Sequence, residues 1–262
     1  YNSTTGTKHD DMIWRIQSGV DGLFYEDANS TVVGSVIANL GTVSSDVYSV
    51  FGSGKINTTG VGIGATATWY NDTGLYLDAQ TGINWYITDM DSANTRTSLI
   101  HNNSAHGLAA SLETGKNIRI DDHWSITPQA QLSYSNVDFN SFADRYGSDV
   151  SLQGSNNLTG RLGVSAAYSD RWADQMSHIV KSNIYAAGNL YYDFAGGSRI
   201  LVSDVAFSNA DAPLWAGIAL GGSLSWADGQ YSVYGEVLTQ TSVKDFWKSN
   251  SLGVKAGVSM HW

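Results

Sequence analysis

The chain has 262 residues with a net charge of −10, 15% charged residues, 28 Gly, 2 Pro and no Cys. Average proteins carry about 25% charged residues and roughly 7% Gly, so this one is poor in charge and rich in Gly. The acidic balance excludes the basic footprint of a nucleic-acid binder, and the missing Cys excludes disulfide frameworks, thiolate metal sites and thiol catalysis. No apolar run approaches the roughly 18 residues of a membrane helix. A membrane-spanning strand needs only about 10 residues with every second one apolar, so that class survives. Tyr1 is followed by no charged-then-apolar leader, and the sequence reads as a fragment whose signal peptide, if it has one, lies upstream.

Period-two alternation runs through the chain. It is weaker over Trp14 to Tyr25 and Val32 to Gly41, then clear in Val61, Ile63, Ala65, Ala67 and Trp69, and in Leu75, Leu77, Ala79, Ile83 and Trp85. It continues through Leu108, Ala110 and Leu112; Trp124, Ile126, Ala130, Leu132 and Tyr134; Leu158, Leu162 and Val164; and Ile184, Ala186, Leu190 and Tyr192. The final strands carry Leu214, Ile218, Leu220, Leu224 and Trp226; Tyr231, Val233 and Val237; and Leu252, Val254, Ala256, Val258, Met260 and Trp262. Between these positions stand Gly, Ser, Thr, Asn, Gln and Tyr, with few of the Lys and Glu that face water in a soluble sandwich. Aromatic residues at strand ends (Trp69, Trp85, Trp124, Tyr134, Tyr192, Trp226, Tyr231, Trp262) suit the interfacial girdles of a membrane barrel.

The links are expected to alternate in length: short at Glu26 to Ser30, Asn71 to Thr73, Asn117 to Asp122 and Ala227 to Gln230, and long at Thr42 to Thr58, Thr88 to Ser104 and Ser135 to Asn156. A medium link spans Ser169 to Ser182, a long external loop over 195–213 holds a hairpin-like arm, and the last link is Val243 to Asn250. The count is eleven full strands between about Met12 and Trp262. Closed single-chain bacterial barrels normally have an even number. A twelfth strand is therefore expected before Met12, where Tyr1 to Asp11 is polar and turn-like.

Several blocks resemble one family in its own order: Gly64 to Tyr70, Gly74 to Gln80, Ser111 to Gly115, Trp124 to Tyr134, Leu158 to Val164, Tyr185 to Phe194 and the terminal strand ending in Trp262. They are similar to the C-terminal translocator domain of bacterial autotransporters, the type V secretion systems. The resemblance implies an all-β fold, an antiparallel up-and-down transmembrane barrel of 12 strands over 1–262, with the first strand and the preceding pore helix absent or only partly included. It implies localisation in the Gram-negative outer membrane with a periplasmic C-terminus, and export of an upstream passenger to the cell surface. The implied partners are outer-membrane lipid, the β-barrel assembly machinery and the chain's own passenger; no cofactor is implied. The machinery's signal would be the last strand: Leu252, Val254, Val258, Met260 and Trp262.

Pleat parity places Arg15, Asp21, Asp78, Glu113, Arg161, Asp193, Glu236 and Lys255 toward a lumen. Such charges could pair, hold a pore segment or promote passenger cleavage; pairing is the simplest role, since buried charges are generally paired. Glu113 and Arg161 are the preferred pair. Other motifs fail on context. Gly62 to Ala67 looks like a dinucleotide loop but lies inside a strand, where structural Gly is the better account. Asp89 to Asn94 begins like a calcium loop, yet the sixth position is Asn94 and the twelfth Ile100. The six His residues show no i, i+4 pair that would suggest a metal site. Two alternatives stay open within the membrane class, a porin-like channel and a surface hydrolase, the latter requiring a rim cluster of which His101, His106, Asp89 and Asp91 are the candidates. A soluble ligand-binding β-protein is the third possibility.

Overall fold

The computed structural model describes residues 8–49, 52–92, 97–143, 149–153, 156–174, 176–194, 198–202, 205–209, 213–244 and 250–260. Eleven long strands form one antiparallel sheet in chain order. They are β1 (Lys8–Glu26), β2 (Ser30–Ser49), β3 (Gly52–Asn71), β4 (Leu75–Ser92), β5 (Thr97–Lys116), β6 (Trp124–Phe139), β7 (Asn157–Ala173), β8 (Ile179–Asp193), β9 (Leu214–Trp226), β10 (Tyr231–Ser242) and β11 (Asn250–Met260). A two-residue strand, Ile118–Arg119, adds to β6 in the β5–β6 link. Each long strand pairs with its sequence neighbour, so every link is a hairpin or a loop that returns beside its own start. Among the described residues β1 pairs only with β2 and β11 only with β10. Ten hairpin reversals leave these two edge strands running in the same direction, so an antiparallel closure takes one further strand.

The sheet buries the wrong residues for a soluble protein. Among the described residues the buried apolar side chains are only Ala105, Val180, Ala187 and Ala219, while Leu162, Ile184, Leu220, Leu252 and Val258 are more than half exposed. Along β4 the exposed positions include Leu75, Leu77, Ile83, Trp85 and Ile87, and the more sheltered ones Tyr76, Asp78, Asn84, Tyr86 and Thr88. The apolar face is thus the open one and the polar face the enclosed one. That inversion is the arrangement of a sheet whose outer solvent is hydrocarbon.

One end of the sheet is closed by short turns, four of them held by an Asp or Asn side chain in the manner of an Asx turn. Asp27 accepts the N–H groups of Asn29 and Ser30 at 2.8 and 2.7 Å, and the Tyr25 hydroxyl at 2.7 Å. Asn71 accepts from Thr73 and Leu75 at 3.0 Å each, beside Gly74, whose φ of +84° any other residue would adopt with strain. Asp121 accepts from His123 and Trp124, and Asp174 from Met176 and His178. Aromatic pairs gather at the same end: Trp124 lies edge-on to Tyr168 with centroids 5.3 Å apart, and Trp226 stacks on Tyr231 at 5.9 Å.

The opposite end departs from the expected links. Thr42 to Thr58 and Thr88 to Ser104 do not form long loops: the β2–β3 ladder continues to Ser49↔Gly52, and the β4–β5 ladder to Ser92↔Thr97. Likewise Lys8 to Asp11, expected as turn-like, are strand residues paired with Tyr48 to Ser45. These segments lack apolar alternation because they extend beyond the apolar band. Strands of 18 to 20 residues exceed the roughly 10 that cross a bilayer, so polar sequence at this end still pairs. The 195–213 loop carries Ser198–Val202 and Val205–Asn209 as an antiparallel hairpin, joined to Asp149–Gln153 and Phe142–Ala143 of the β6–β7 link in a separate four-stranded sheet.

Candidate functional site: the polar face

By register all eight charged positions singled out in the sequence fall on the polar face. One row across the sheet reads Asp78, Glu113, Gln131, Arg161 and Tyr191. Within it Arg161 Nη2 donates to Glu113 Oε2 at 2.6 Å, with the two side chains only 15% and 18% exposed. The rest of the guanidinium is also used. Nε donates to Gln131 Oε1 at 3.0 Å, and Nη1 donates to Asn189 Oδ1 at 2.8 Å and Gln129 Oε1 at 3.3 Å. The second oxygen of Glu113 accepts the Tyr76 hydroxyl at 2.6 Å. A planar guanidinium is suited to this divergent set of acceptors in a way that a Lys ammonium is not.

A second cluster lies nearer the β11 edge. Glu236 accepts the Tyr185 hydroxyl at 2.6 Å and Lys255 Nζ at 3.2 Å. The remaining charges are more dispersed. Asp78 accepts from Thr68 Oγ1 and Gln80 Nε2, Arg15 donates to Gln17, Asp21 pairs in register with Ser35, and the Asp193 N–H donates to the Pro213 carbonyl.

Sequence reading missed the tyrosines and amides that complete these clusters, and the glycines that admit them. Tyr76, Tyr185 and Tyr234 stand directly opposite Gly115, Gly221 and Gly257 in the ladders, and each ring covers its glycine. A Cβ on Gly221 would lie 2.5 Å from the Cζ and hydroxyl oxygen of Tyr185. Gly62, inside the sequence that resembled a nucleotide loop, is covered by the Asn84 and Asn39 amides. The available signal was Gly and Tyr sharing one parity on successive strands; the register needed to match them was not readable.

Gly221→Val is therefore expected to push Tyr185 off Glu236 and to cost about 1–3 kcal/mol through overpacking. Gly253→Val, where an added Cβ meets nothing within 4 Å, is the control. The check is the temperature at which the folded band is lost in heat-modifiable gel migration, which falls for the first variant and holds for the second.

At the short-turn end His178 Nδ1 and the Ile179 N–H both lie 2.8 Å from the Asp228 carboxylate, tying the β7–β8 turn to the β9–β10 turn. The Asp228 hydrogen bond, then its charge, and more weakly that of Asp174 hold His178 above its usual range against its desolvation. Asp228 is held below the usual carboxylate range, first by the Ile179 N–H and then by His178. The His178 contribution is complete below about pH 6.5 and is lost as pH rises through its raised folded value; that of Asp228 is present above about pH 4 and is lost as pH falls through its lowered one. The clasp is expected to be tightest between about pH 4 and 6.5. Amide exchange at Ile179, corrected for its intrinsic pH dependence, should accelerate toward alkaline pH in the native chain and show no such step in His178→Ala.

The rim candidates do not converge on one another in the contacts described. His106 Nε2 lies 3.9 Å from Asp138, and Asp89 accepts the Asn102 N–H at 3.0 Å; the side chain of His101 lies outside the described residues. Among the described residues no group of three His, Asp or Glu could hold a metal ion.

An antiparallel up-and-down sheet with an exposed apolar face, a polar network on the other and short turns at one end defines a membrane β-barrel domain. The model of the autotransporter β-domain family matches residues 2–237, and the chain belongs to that family, whose members are outer-membrane barrels. It is 42% identical over 260 residues, 99% of its length, to the adhesin BmaC autotransporter of Brucella suis biovar 1 (strain 1330). A 114-residue stretch, 43% of the chain, is 31% identical to the pertactin autotransporter of Bordetella bronchiseptica. The chain spans 8% and 12% of those two proteins. The fold is similar to the transport unit of the autotransporter AIDA-I from Escherichia coli, with a TM-score of 0.79 at 16% identity over 98% of this chain and 84% of that one. It is also similar to the translocator domain of the autotransporter NalP from Neisseria meningitidis, with a TM-score of 0.64 at 15% identity over 98% and 89%.

Proposed function

We propose that this chain is the outer-membrane translocator of an autotransporter, which anchors an upstream passenger and assists its export to the cell surface without enzymatic activity of its own. The inverted sheet carries this reading: every long strand offers apolar side chains outward, as only a lipid-embedded sheet can without aggregating. The likeness over 99% of the chain to an autotransporter adhesin supports a passenger upstream.

Short turns lie on the periplasmic side of bacterial barrels and longer loops outside. The clustering of Asx-held turns at one end supports an orientation with the β11 terminus in the periplasm. Leu252, Val254, Val258 and Met260 alternate along this edge strand and are 56% to 83% exposed, a form suited to recognition by the β-barrel assembly machinery; Trp262, part of the same signal, lies outside the described residues. The eight polar-face charges would line the lumen, where Glu113 with Arg161 and Glu236 with Lys255 brace the wall. One strand antiparallel to both β1 and β11 would complete the barrel.

The test is to express the full-length protein with an epitope in its passenger and to treat intact cells with protease. Release of the epitope, and its retention inside the cell when Leu252 to Met260 are made polar at the alternating positions, is the expected result. An epitope that reaches the surface independently of this domain would overturn the reading.

A further inference from the structure

The apolar face is not uniformly convex. It carries a cavity of about 560 Å³, within the size range of small-molecule sites. Two adjacent rows of the ladder frame it. One runs Leu112, Leu132, Gly160, Tyr192, Leu214, and the other Leu77, Thr114, Ala130, Leu162, Leu190. The depression follows the small residues Thr114, Ala130 and Gly160. Phe194 closes one end: its ring lies where a Cβ on Gly160 would sit, 2.9 Å away, its centroid is 5.0 Å from that of Tyr192, and its N–H donates to the Leu158 carbonyl at 2.8 Å.

We propose that this groove holds one acyl chain of a bilayer lipid. The proposal rests on the membrane reading above and deepens it, since the groove is continuous with the exposed apolar band. The one hydroxyl among the residues that frame it on this face, apart from that of Tyr192, is spent, because Thr114 donates to the Tyr76 carbonyl at 2.9 Å. The dimensions favour a chain. Each row crosses five strands, about 19 Å at the usual spacing. With strands tilted by roughly 40°, such a row descends about 12 Å along the membrane normal, which fits within the ~15 Å depth of a single leaflet, half of the ~30 Å hydrocarbon core. A flat wall would let such a chain exchange freely with its neighbours. A groove adds dispersion contacts that a passing lipid on a flat wall does not make.

The test is native mass spectrometry of the protein extracted from membranes, stripped of lipid, and titrated with dimyristoylphosphatidylglycerol. Dihexanoylphosphatidylglycerol serves as the headgroup-matched probe. The expected result is a single long-chain lipid retained above the background of weak adducts and no such retention of the short-chain one. Ala130→Phe, which fills the groove, and Leu162→Asn, which makes its wall polar, should each weaken retention about tenfold. Gly22→Phe, on the apolar face of β1 where an added Cβ meets nothing within 4 Å, should leave it unchanged. Equal retention by all variants, equal retention of both lipids, or a doubled mass that Ala130→Phe abolishes would overturn the proposal, the last by making a second copy the occupant. Insertion into dimyristoylphosphatidylcholine vesicles, measured on the same proteins, separates the two readings: a chain that inserts but shows no groove-dependent retention loses only the lipid site, and one that fails to insert loses the membrane reading itself.

Discussion

Arg161→Ala is expected to destabilise the folded domain by about 3 kcal/mol, because removing one member of an enclosed ion pair leaves the other desolvated without its partner. Glu113 would keep only the Tyr76 hydroxyl among its described hydrogen bonds, and Gln131, Gln129 and Asn189 would each lose a donor. Five strands are affected, since the guanidinium on β7 reaches β5 and β6 on one side and β8 on the other, and Glu113 in turn holds Tyr76 of β4. Arg161→Lys should recover little, because one ammonium cannot reproduce four divergent donations. The double variant Arg161→Met with Glu113→Gln should recover most of the loss, since it removes both charges together. Denaturant unfolding in micelles measures all three. Arg161→Ala matching the native midpoint would show that water in the enclosed space already solvates the pair.

Leu220→Arg is expected to cost about 2–4 kcal/mol, the penalty for a cation on the lipid face near the bilayer midplane. Leu220 is the middle residue of β9 and is 58% exposed, so in a soluble protein the same change would be close to neutral. Three residues on, Ser223 stands on the opposite face, in register with Asn183 and Tyr234. Ser223→Arg should cost under about 1 kcal/mol, because a polar-face cation keeps access to water. Unfolding from lipid vesicles at equilibrium gives both values. Similar small costs for the two variants would mean that the exposed apolar face meets water.

The strand pattern was legible because pleat alternation is a local property: neighbouring side chains on a strand point to opposite faces whatever the strand pairs with. Val61 to Trp69 and Leu252 to Met260 could be sorted into apolar and polar sets without a partner, and the scarcity of Lys and Glu in the polar set separated a membrane sheet from a soluble one. The same reasoning failed where the apolar band ends. Segments 42–49 and 88–92 are strand, yet their outward positions carry polar residues, since those parts of the ladder stand clear of hydrocarbon and no longer need apolar side chains.

The clusters themselves depended on cross-strand register, which is a long-range property. A slip of two residues keeps every side chain on its face but changes each opposing pair, so parity alone could put Arg161 and Glu113 on one face without placing Tyr76, Gln131 or Asn189 around them. Turn geometry fixes that register, through Asp27, Asn71, Asp121 and Asp174 at the short-turn end and the bulge between Leu23 and Tyr25. By itself the sequence determined that the chain is a sheet with a lipid-facing side and a polar side, because burial in hydrocarbon constrains each strand separately. Only the tertiary structure decided which tyrosine covers which glycine, which carboxylate meets Arg161 and where the apolar wall opens into a groove, because those depend on the alignment of residues far apart in the chain, Glu113 and Arg161 being separated by 48 positions.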